Sequence, residues 1–319
     1  MLNGIFNSET KTIRGATGIL ALSALISAFL GLFRDRLLAG YFGAGPETGI
    51  YFAAFRIPDL IYRILILGGV LVAFLPIFAE YFAENKAKAW EMPNYVLNVF
   101  LFLLIIAALV LFIFTPWLIK FIIPGLALEY KDMAINLTRL LFLSPILFGL
   151  SNIFSGVLHY FNRFLVYSLA PIFYNLGIIA GIVFLTPYFG IFGAAIGVIF
   201  GAFLHLLIQV PSAINCGFRY RPLFSFRYPA VTKIFRLMLP RVFGVAAYQI
   251  YLIVTTALAS LISTGSIAIF SFANNLQGLP SGILGPSLAM AIFPTFSRLW
   301  VNGQKKEFIE IFSSTLRQG

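Results

Sequence analysis

Charge, cysteine and histidine are all scarce in this chain of 319 residues. Lys, Arg, Asp and Glu make up 10% of it, apolar residues make up 60%, and the mean hydropathy is +0.95. These values lie outside the range of soluble globular proteins. The single cysteine, Cys216, excludes an intramolecular disulfide and a cysteine-based metal cage, so we interpret it as an apolar filler. The sequence has no HExxH, no phosphate-cradling P-loop and no Asp-rich diphosphate–metal motif. It therefore gives no support to an enzyme, and we expect no cofactor and no metal.

Long apolar runs are abundant instead. About 20 apolar residues cross a ~30 Å hydrocarbon core as a helix, and the runs here predict an all-α polytopic membrane protein. The N-terminal run, residues 16–33, is followed by Arg34-Asp35-Arg36 rather than by a cleavage site, so it predicts a first span and not a signal peptide. Two longer uncharged runs contain breaks, at 186–190 and 263–266. The predicted spans are 14–40, 47–83, 93–119, 135–159, 165–186, 190–213, 232–261 and 267–300, with a further helix starting near Lys305.

The loop charges predict the orientation of these spans. With the N-terminus inside, most basic loop residues fall on the cytoplasmic side, which is where they are favoured. The net charge of +11 is explained by topology and anionic lipid, since the basic residues are scattered between apolar runs. Segment 214–231 mixes Arg with Phe and Tyr and predicts an interfacial linker. Stacking on nucleic acid is the alternative for such a mixture, and we expect no nucleic acid partner.

A weak internal repeat indicates two related halves. Residues 51–82 align with 269–300 without a gap, at an offset of 218 residues. The prediction is a six-helix lobe at 1–213, the linker at 214–231, and the start of a second lobe at 232–319 that breaks off early. The identities are Phe52, Ala73, Pro76 and Phe78 with Phe270, Ala291, Pro294 and Phe296. Bends are expected in the two long spans at Pro58, Gly68, Gly69, Pro280, Gly282, Gly285 and Pro286.

Ionisable side chains within the spans are functional candidates. Each costs about 2.5–3.5 kcal/mol on insertion scales. Arg56, Asp59 and Arg63, at i, i+3 and i+7, share one helical face, which favours a water-filled cavity or another helix over lipid. Two arginines on such a face suit a diphosphate, because guanidinium groups bind phosphate oxygens in a bidentate fashion. The alternative is that Asp59 pairs with an arginine and only joins helices.

Other polar residues have plainer interpretations. Arg34 and Arg36 could snorkel at the end of the first span. His205, amid apolar residues, is expected to be packed and hydrogen-bonded. Asn274, Asn275 and Gln277 would either bond between helices or line a cavity.

Several stretches of the sequence, taken in order, carry a resemblance to a known family. They are Leu30–Asp35, Phe42–Gly45, Ala54–Pro58, Ala73–Tyr81, Asn162–Phe164, Ala170-Pro171, Asn175 and Leu279–Gly285. Together they resemble the lipid II flippase family (MurJ, also called MviN) of the MATE-like exporter superfamily. The resemblance implies two six-helix lobes facing a central cavity, in the bacterial cytoplasmic (inner) membrane. It implies transport of an undecaprenyl-diphosphate-linked peptidoglycan precursor by alternating access. Only the first lobe and about two helices of the second would be present, so the chain would be truncated.

With this resemblance, we predict that Arg34, Arg56 and Arg63 contact the diphosphate. Asp35 and Asp59 would hold them, and Asn274 and Asn275 would support the site. The partners would be the lipid-linked substrate, membrane lipids and cell-wall synthesis proteins.

The chain departs from the family at several charged positions. The family usually has Arg at Ala28, Asp at Gly49, Arg at Tyr62, Glu at Leu67, and an Asp-Arg pair at Asn274-Asn275. Loss of a Glu together with an Arg indicates that a charge pair was removed as a unit, which avoids a stranded buried charge. The alternatives are an oligosaccharide-lipid flippase, a cation-coupled drug antiporter, and a non-transporting scaffold for cell-wall synthesis. Scarce carboxylates argue against the antiporter.

Overall fold

A computed structural model describes residues 13–278 and 304–318, and within these ranges the regular secondary structure is entirely helical. A 3₁₀ turn covers Leu128–Tyr130, and π-helical segments cover Arg63–Val70 and Gly181–Leu185. The α-helices are α1 Ile13–Phe42, α2 Pro46–Ala54, α3 Arg56–Tyr62, α4 Leu71–Glu84, α5 Lys86–Ala89, α6 Glu91–Ile122, α7 Lys131–Leu141, α8 Leu143–Tyr160, α9 Phe164–Ala180, α10 Thr186–Phe189, α11 Ile191–Leu207, α12 Val210–Asn215, α13 Pro229–Ile262, α14 264–278 and α15 Lys305–Gln318.

Six helical stretches of the described ranges are long and apolar enough to cross a membrane. They correspond to the first, third, fourth, fifth, sixth and seventh predicted spans, and the protein is a multi-pass membrane protein. The eighth predicted span is described only as far as residue 278, so its expected bends lie outside the described residues. The six stretches are Thr17–Phe42, Glu91–Ile122, Leu128–Tyr160, Phe164–Phe189, Ile191–Asn215 and Pro229–Ile262.

The second predicted span is helical but interrupted twice. The helix stops at Ala54 and restarts at Arg56, because Pro58 has no N–H to donate to the Ala54 carbonyl. Further on, the π-helical segment includes Gly68 and Gly69. Both irregularities fall where bends were predicted. Because π-turns often mark functional sites, this interruption beside Arg63 matters for the site described below.

Both predicted breaks are also present. After the π-helical segment at 181–185 and the short α10, Gly190 adopts φ +56°, a left-handed conformation that favours glycine, and α11 begins at the next residue. Ser263 is extended (φ −164°, ψ 154°) and ends α13. Its hydroxyl accepts a hydrogen bond from the backbone N–H of Ser266 at 3.2 Å, which caps the start of α14.

Glycines allow α9 and the π-helical segment after it to pack directly on α11. A Cβ added at Gly177 would lie 2.3 Å from the Gly201 Cα, and one at Gly181 would lie 2.3 Å from the Gly197 Cα. Both distances are far shorter than a van der Waals contact, so the two backbones touch where the glycines face each other. Small residues spaced four apart are the usual means of close packing between membrane helices.

The chain forms two compact units, residues 1–271 and 272–319. In the first unit, α13 packs against the helices that precede the linker, and Phe235 stacks on Phe100 with ring centroids 5.1 Å apart. The second unit contains helical residues 272–278 and α15. The first compact unit therefore includes α13 and extends beyond residue 213, where the predicted first lobe ends. The lobe boundaries stay a prediction.

The linker is held along α6 by two asparagines one helical turn apart. Asn94 donates to the Arg219 carbonyl (3.0 Å) and accepts from the Arg221 N–H (2.7 Å). Asn98 donates to the carbonyls of Arg221 (3.0 Å) and Leu223 (2.9 Å). Each amide therefore satisfies backbone groups that have no helix or sheet partner. This fixes the linker at the end of the protein where α4 ends and α6 begins.

Candidate functional site

The first predicted arginine, Arg34, is held by neighbours on two helices. Its Nε and Nη2 atoms donate to Asp35 Oδ1 at 2.9 and 2.8 Å, and its Nη1 donates to Asn175 Oδ1 at 3.4 Å. The side chains of Arg34 and Asp35 are 22% and 11% exposed. A guanidinium that snorkels into open water would not be enclosed in this way. The interpretation of Arg34 as a snorkelling residue is therefore wrong.

Asn175 connects Arg34 to the packing of α1 on α9. Its amide nitrogen donates to the Ser27 hydroxyl at 3.1 Å and lies 3.3 Å from the Ser27 carbonyl. One helical turn further towards the N-terminus of α1, the Ser23 hydroxyl donates to the Ser168 hydroxyl at 2.9 Å. These bonds between the two helices set the rotation of α1, so Arg34 is presented on a defined face.

Arg56, the second predicted arginine, reaches across to α13. Its Nε donates to the Thr256 hydroxyl oxygen at 2.8 Å, over a sequence separation of 200 residues. Thr256 is completely buried, and its hydroxyl in turn lies 2.7 Å from the Leu252 carbonyl. Sequence reasoning missed Thr256, because a threonine within an apolar span has no pattern that distinguishes it.

Asp59 and Arg63 complete the predicted set. Asp59 lies within electrostatic range of Arg63 and Arg56. Among the described residues, however, no ion pair within 4 Å joins Asp59 to either arginine. The alternative in which Asp59 merely pins helices through a direct ion pair is therefore not what the structure shows. Arg63 stands at the start of the π-helical segment, where the α-helical register ends.

Aromatic side chains lie between the Arg34 pair and the Asp59 region. Tyr174 is within electrostatic range of both Arg34 and Asp59. Phe148 packs between two tyrosines, with ring centroids 5.4 Å from Tyr62 and 5.0 Å from Tyr174. Tyr62, which stands where the family usually has Arg, accepts a hydrogen bond from Asn152 at 2.9 Å. The two groups of charges thus share one region of the first compact unit, bridged by neutral polar groups.

The remaining predicted residues fall elsewhere. Asn274 and Asn275 lie on helical residues 272–278, in the second compact unit. His205 is packed and hydrogen-bonded, as expected: its Nδ1 lies 2.6 Å from the Ser151 hydroxyl, and its ring packs edge-on against Phe148. Within the described ranges, no group of three His, Cys, Asp or Glu side chains could hold a metal ion.

One end of α13 and the start of α14 contact earlier parts of the chain through glycines, Gly49 in α2 and Gly125 in the turn after α6. A Cβ added at Gly49 would lie 2.0 Å from the Thr264 carbonyl oxygen, and one at Gly125 would lie 2.0 Å from the Ser260 carbonyl oxygen. The Gly125 N–H also donates to the Ser260 hydroxyl at 3.2 Å. Gly49 stands where the family usually has Asp, and its lack of a side chain allows this contact with the Thr264 backbone. Together with the Arg56–Thr256 bond, these contacts define a seam between α13–α14 and the preceding helices.

The fold and these buried charges define a lobe of the MATE-like exporter architecture. The chain superposes on a solved structure described as lipid II flippase MurJ in an inward closed conformation, with a TM-score of 0.72 and 25% identity over 88% of this chain and 58% of that one. An inward-facing MATE-family multidrug transporter of the MOP superfamily shares the fold, with a TM-score of 0.66 and 17% identity over 91% of this chain and 66% of that one.

Sequence comparison gives the family. The sequence model of the family described as lipid II flippase MurJ matches residues 38–319, and the chain belongs to this family. It is 33% identical to the probable lipid II flippase MurJ of Buchnera aphidicola subsp. Acyrthosiphon pisum over 93% of this chain and 59% of that protein. It is 28% identical to the lipid II flippase MurJ of Burkholderia cenocepacia over 92% and 58%. The family is one of transporters rather than enzymes. The chain spans about three fifths of the length of these relatives.

Proposed function

We propose that this chain supplies the first lobe, and the beginning of the second, of a flippase that moves lipid II across the bacterial cytoplasmic membrane. The observation that carries the proposal is the family match over residues 38–319. A lipid-linked substrate follows from that family, and docking to cell-wall synthesis proteins would follow from the same role. In this proposal the N-terminus is cytoplasmic and the protein works by alternating access.

The charge distribution supports this orientation. The loop before α6 and the linker lie at the same end of the protein, since Asn94 and Asn98 at the start of α6 bond to the linker. Lys86, Lys88 and the linker arginines are exposed at this end. Basic residues favour the cytoplasmic side of a membrane, where anionic lipid also attracts them.

The arginine geometry supports a diphosphate as the bound group. Arg34 is enclosed, and Asp35 neutralises its charge. Arg56 and Arg63 have no carboxylate within 4 Å among the described residues, although Asp59 lies within electrostatic range of both. Fixed guanidinium groups with spare N–H donors suit the bidentate binding of phosphate oxygens. We propose that Arg34, Arg56 and Arg63 contact the diphosphate, with Asp35 and Asp59 maintaining their positions.

Complementation tests this function. The complete gene that encodes this chain should sustain growth of bacteria depleted of their own lipid II flippase. The double variant Arg56→Ala/Arg63→Ala should fail to sustain growth, because it removes two diphosphate-binding groups. A matched variant, Arg219→Ala/Arg227→Ala, removes two exposed arginines from the linker and should sustain growth. Membrane levels of each variant would be measured by immunoblot.

Two outcomes would count against the proposal. Failure of the unsubstituted gene, at normal membrane levels, would contradict lipid II as the substrate. Full growth with the Arg56→Ala/Arg63→Ala variant would be consistent with lipid II as the substrate but would show that these arginines are not needed to bind it.

A further inference from the structure

The hydroxyl of Thr256 can act only as an acceptor towards Arg56. A threonine hydroxyl has one O–H and two lone pairs. At 2.7 Å from the Leu252 carbonyl, its O–H is donated along the helix. The lone pairs remain, and Arg56 Nε–H is directed at them at 2.8 Å. Because Thr256 is completely buried, no water competes for this acceptor.

This bond fixes the plane of the Arg56 guanidinium. The Nε–H shares one edge of the group with a single N–H of one Nη atom, and the other Nη N–H bonds, including the terminal fork, point elsewhere. Holding Nε therefore orients the terminal fork, which is the part that binds two phosphate oxygens in parallel. An arginine without such a partner would have to be ordered by the substrate itself, which weakens binding.

Thr256 lies on the buried face of α13. Gln249, Leu252, Thr256 and Ser260 are all buried, at spacings that place them on one side of α13. Thr255, one residue earlier, lies off this face, and among the described residues its hydroxyl bonds to the Tyr251 carbonyl at 2.8 Å. The two threonines therefore share the same bond along the helix, and only Thr256 also bonds to Arg56.

We propose that Thr256 is a positioning residue for the diphosphate, through which α13 contributes to a site whose charges all come from the first two spans. The inference rests on the proposed function, because it takes Arg56 as a diphosphate contact. Thr256 holds the guanidinium in place while its Nη1 and Nη2 atoms bind phosphate oxygens. α13 then contributes an uncharged hydroxyl to the site.

Binding of undecaprenyl diphosphate to the purified complete protein tests this role. Thr256→Val removes the hydroxyl at nearly constant volume and should weaken binding about tenfold, as expected for loss of a hydrogen bond to a charged group. Thr255→Val loses the same bond along the helix and should bind within twofold of the unsubstituted protein. Thr256→Ser restores the acceptor and should recover most of the affinity. If Thr256→Val lowers the Tm more than Thr255→Val does, Thr256→Ala provides a second variant without the hydroxyl.

A double-mutant comparison separates positioning from a general structural effect. In an Arg56→Ala background, Thr256→Val should change the affinity by less than twofold, because the group that it positions is gone. In an Arg63→Ala background it should still cost about tenfold. Equal affinity of the Thr256→Val and Thr255→Val proteins would overturn the inference, as would an undiminished loss in the Arg56→Ala background. If Arg56→Ala alone bound normally, the proposed diphosphate site itself would fail, which is a separate result.

Discussion

Substituting Gly177 with alanine would drive a methyl group into the backbone of the facing helix. The added Cβ would lie 2.3 Å from the Gly201 Cα and 2.6 Å from the Gly201 N. Carbon atoms in favourable contact are about 3.5–4.0 Å apart. The helices would therefore have to separate locally by more than about 1 Å. The neighbouring contact between Gly181 and Gly197 would loosen with them.

The size of the effect follows from two opposing contributions. Overpacking costs about 1–3 kcal/mol, and the upper end applies because the obstructing atoms belong to the backbone and cannot rotate away. Alanine favours a helix over glycine by about 1 kcal/mol, which offsets part of this cost. The net loss in the free energy of unfolding is then about 2 kcal/mol. That corresponds to a fall in Tm on the order of 4 °C.

Two further glycines provide a graded comparison. An alanine Cβ at Gly149 would meet Leu104 Cδ1 at 2.2 Å, which is the movable end of a side chain, so we expect a change close to zero. At Gly40 nothing lies within 4 Å of the added Cβ, and alanine should stabilise the helix by up to about 1 kcal/mol. The expected order of stability is Gly40→Ala, then Gly149→Ala, then Gly177→Ala.

Thermal unfolding of the purified protein in detergent, followed by tryptophan fluorescence at one fixed scan rate, would measure this order. If Gly177→Ala unfolded at the same temperature as Gly40→Ala, the direct backbone contact between α9 and α11 would be refuted.

Two other predictions follow from hydrogen bonds that cross between elements. The double variant Asn94→Leu/Asn98→Leu should free the linker and speed tryptic cleavage after Arg219, whereas Asn85→Leu should not. Unchanged cleavage would show that other contacts hold the linker. Gln209→Leu should lower the Tm. The Gln209 amide bonds to the Ser151 hydroxyl (2.8 Å), the Ser155 hydroxyl (2.7 Å) and the His205 carbonyl (3.1 Å). Leucine would leave these buried groups without that partner, and each unpaired buried group costs about 1–3 kcal/mol. A Tm equal to that of the unsubstituted protein would contradict this second prediction.

The helices and their interruptions could be predicted from the sequence because they depend on local properties. Apolar length sets the spans, and Pro58, Gly190 and Ser263 each act on the backbone within a few residues. The first compact unit was not predictable in the same way. Its inclusion of α13 depends on packing between residues more than 100 positions apart, such as Phe100 on Phe235, and an apolar helix carries no signal for which neighbour it will contact.

The candidate site was predictable only for its charged residues. An ionisable residue within a span is unusual enough to attract attention, so Arg34, Asp35, Arg56, Asp59 and Arg63 were all identified. The neutral partners of Arg34 and Arg56, which are Asn175 and Thr256, were not predicted as partners, because amides and hydroxyls are common in membrane helices as links between neighbours. The helical spacing of Arg56, Asp59 and Arg63 also predicted a shared face, yet it could not show that the α-helical register ends at Arg63.

The asymmetry of the site has a consequence for the proposed transport cycle. The repeat aligns Arg56 with Asn274 and Asp59 with Gln277, so the corresponding positions after the linker are uncharged. The described contact from α13 to the arginines is likewise a neutral hydroxyl, that of Thr256. A diphosphate bound to three arginines of the first two spans would keep its strongest contacts when the two lobes separate, because hydrogen bonds to charged groups are roughly twice as strong as neutral ones. In the proposed mechanism the substrate would therefore stay with the first lobe, while α13 would change the orientation of Arg56 as it approaches or withdraws.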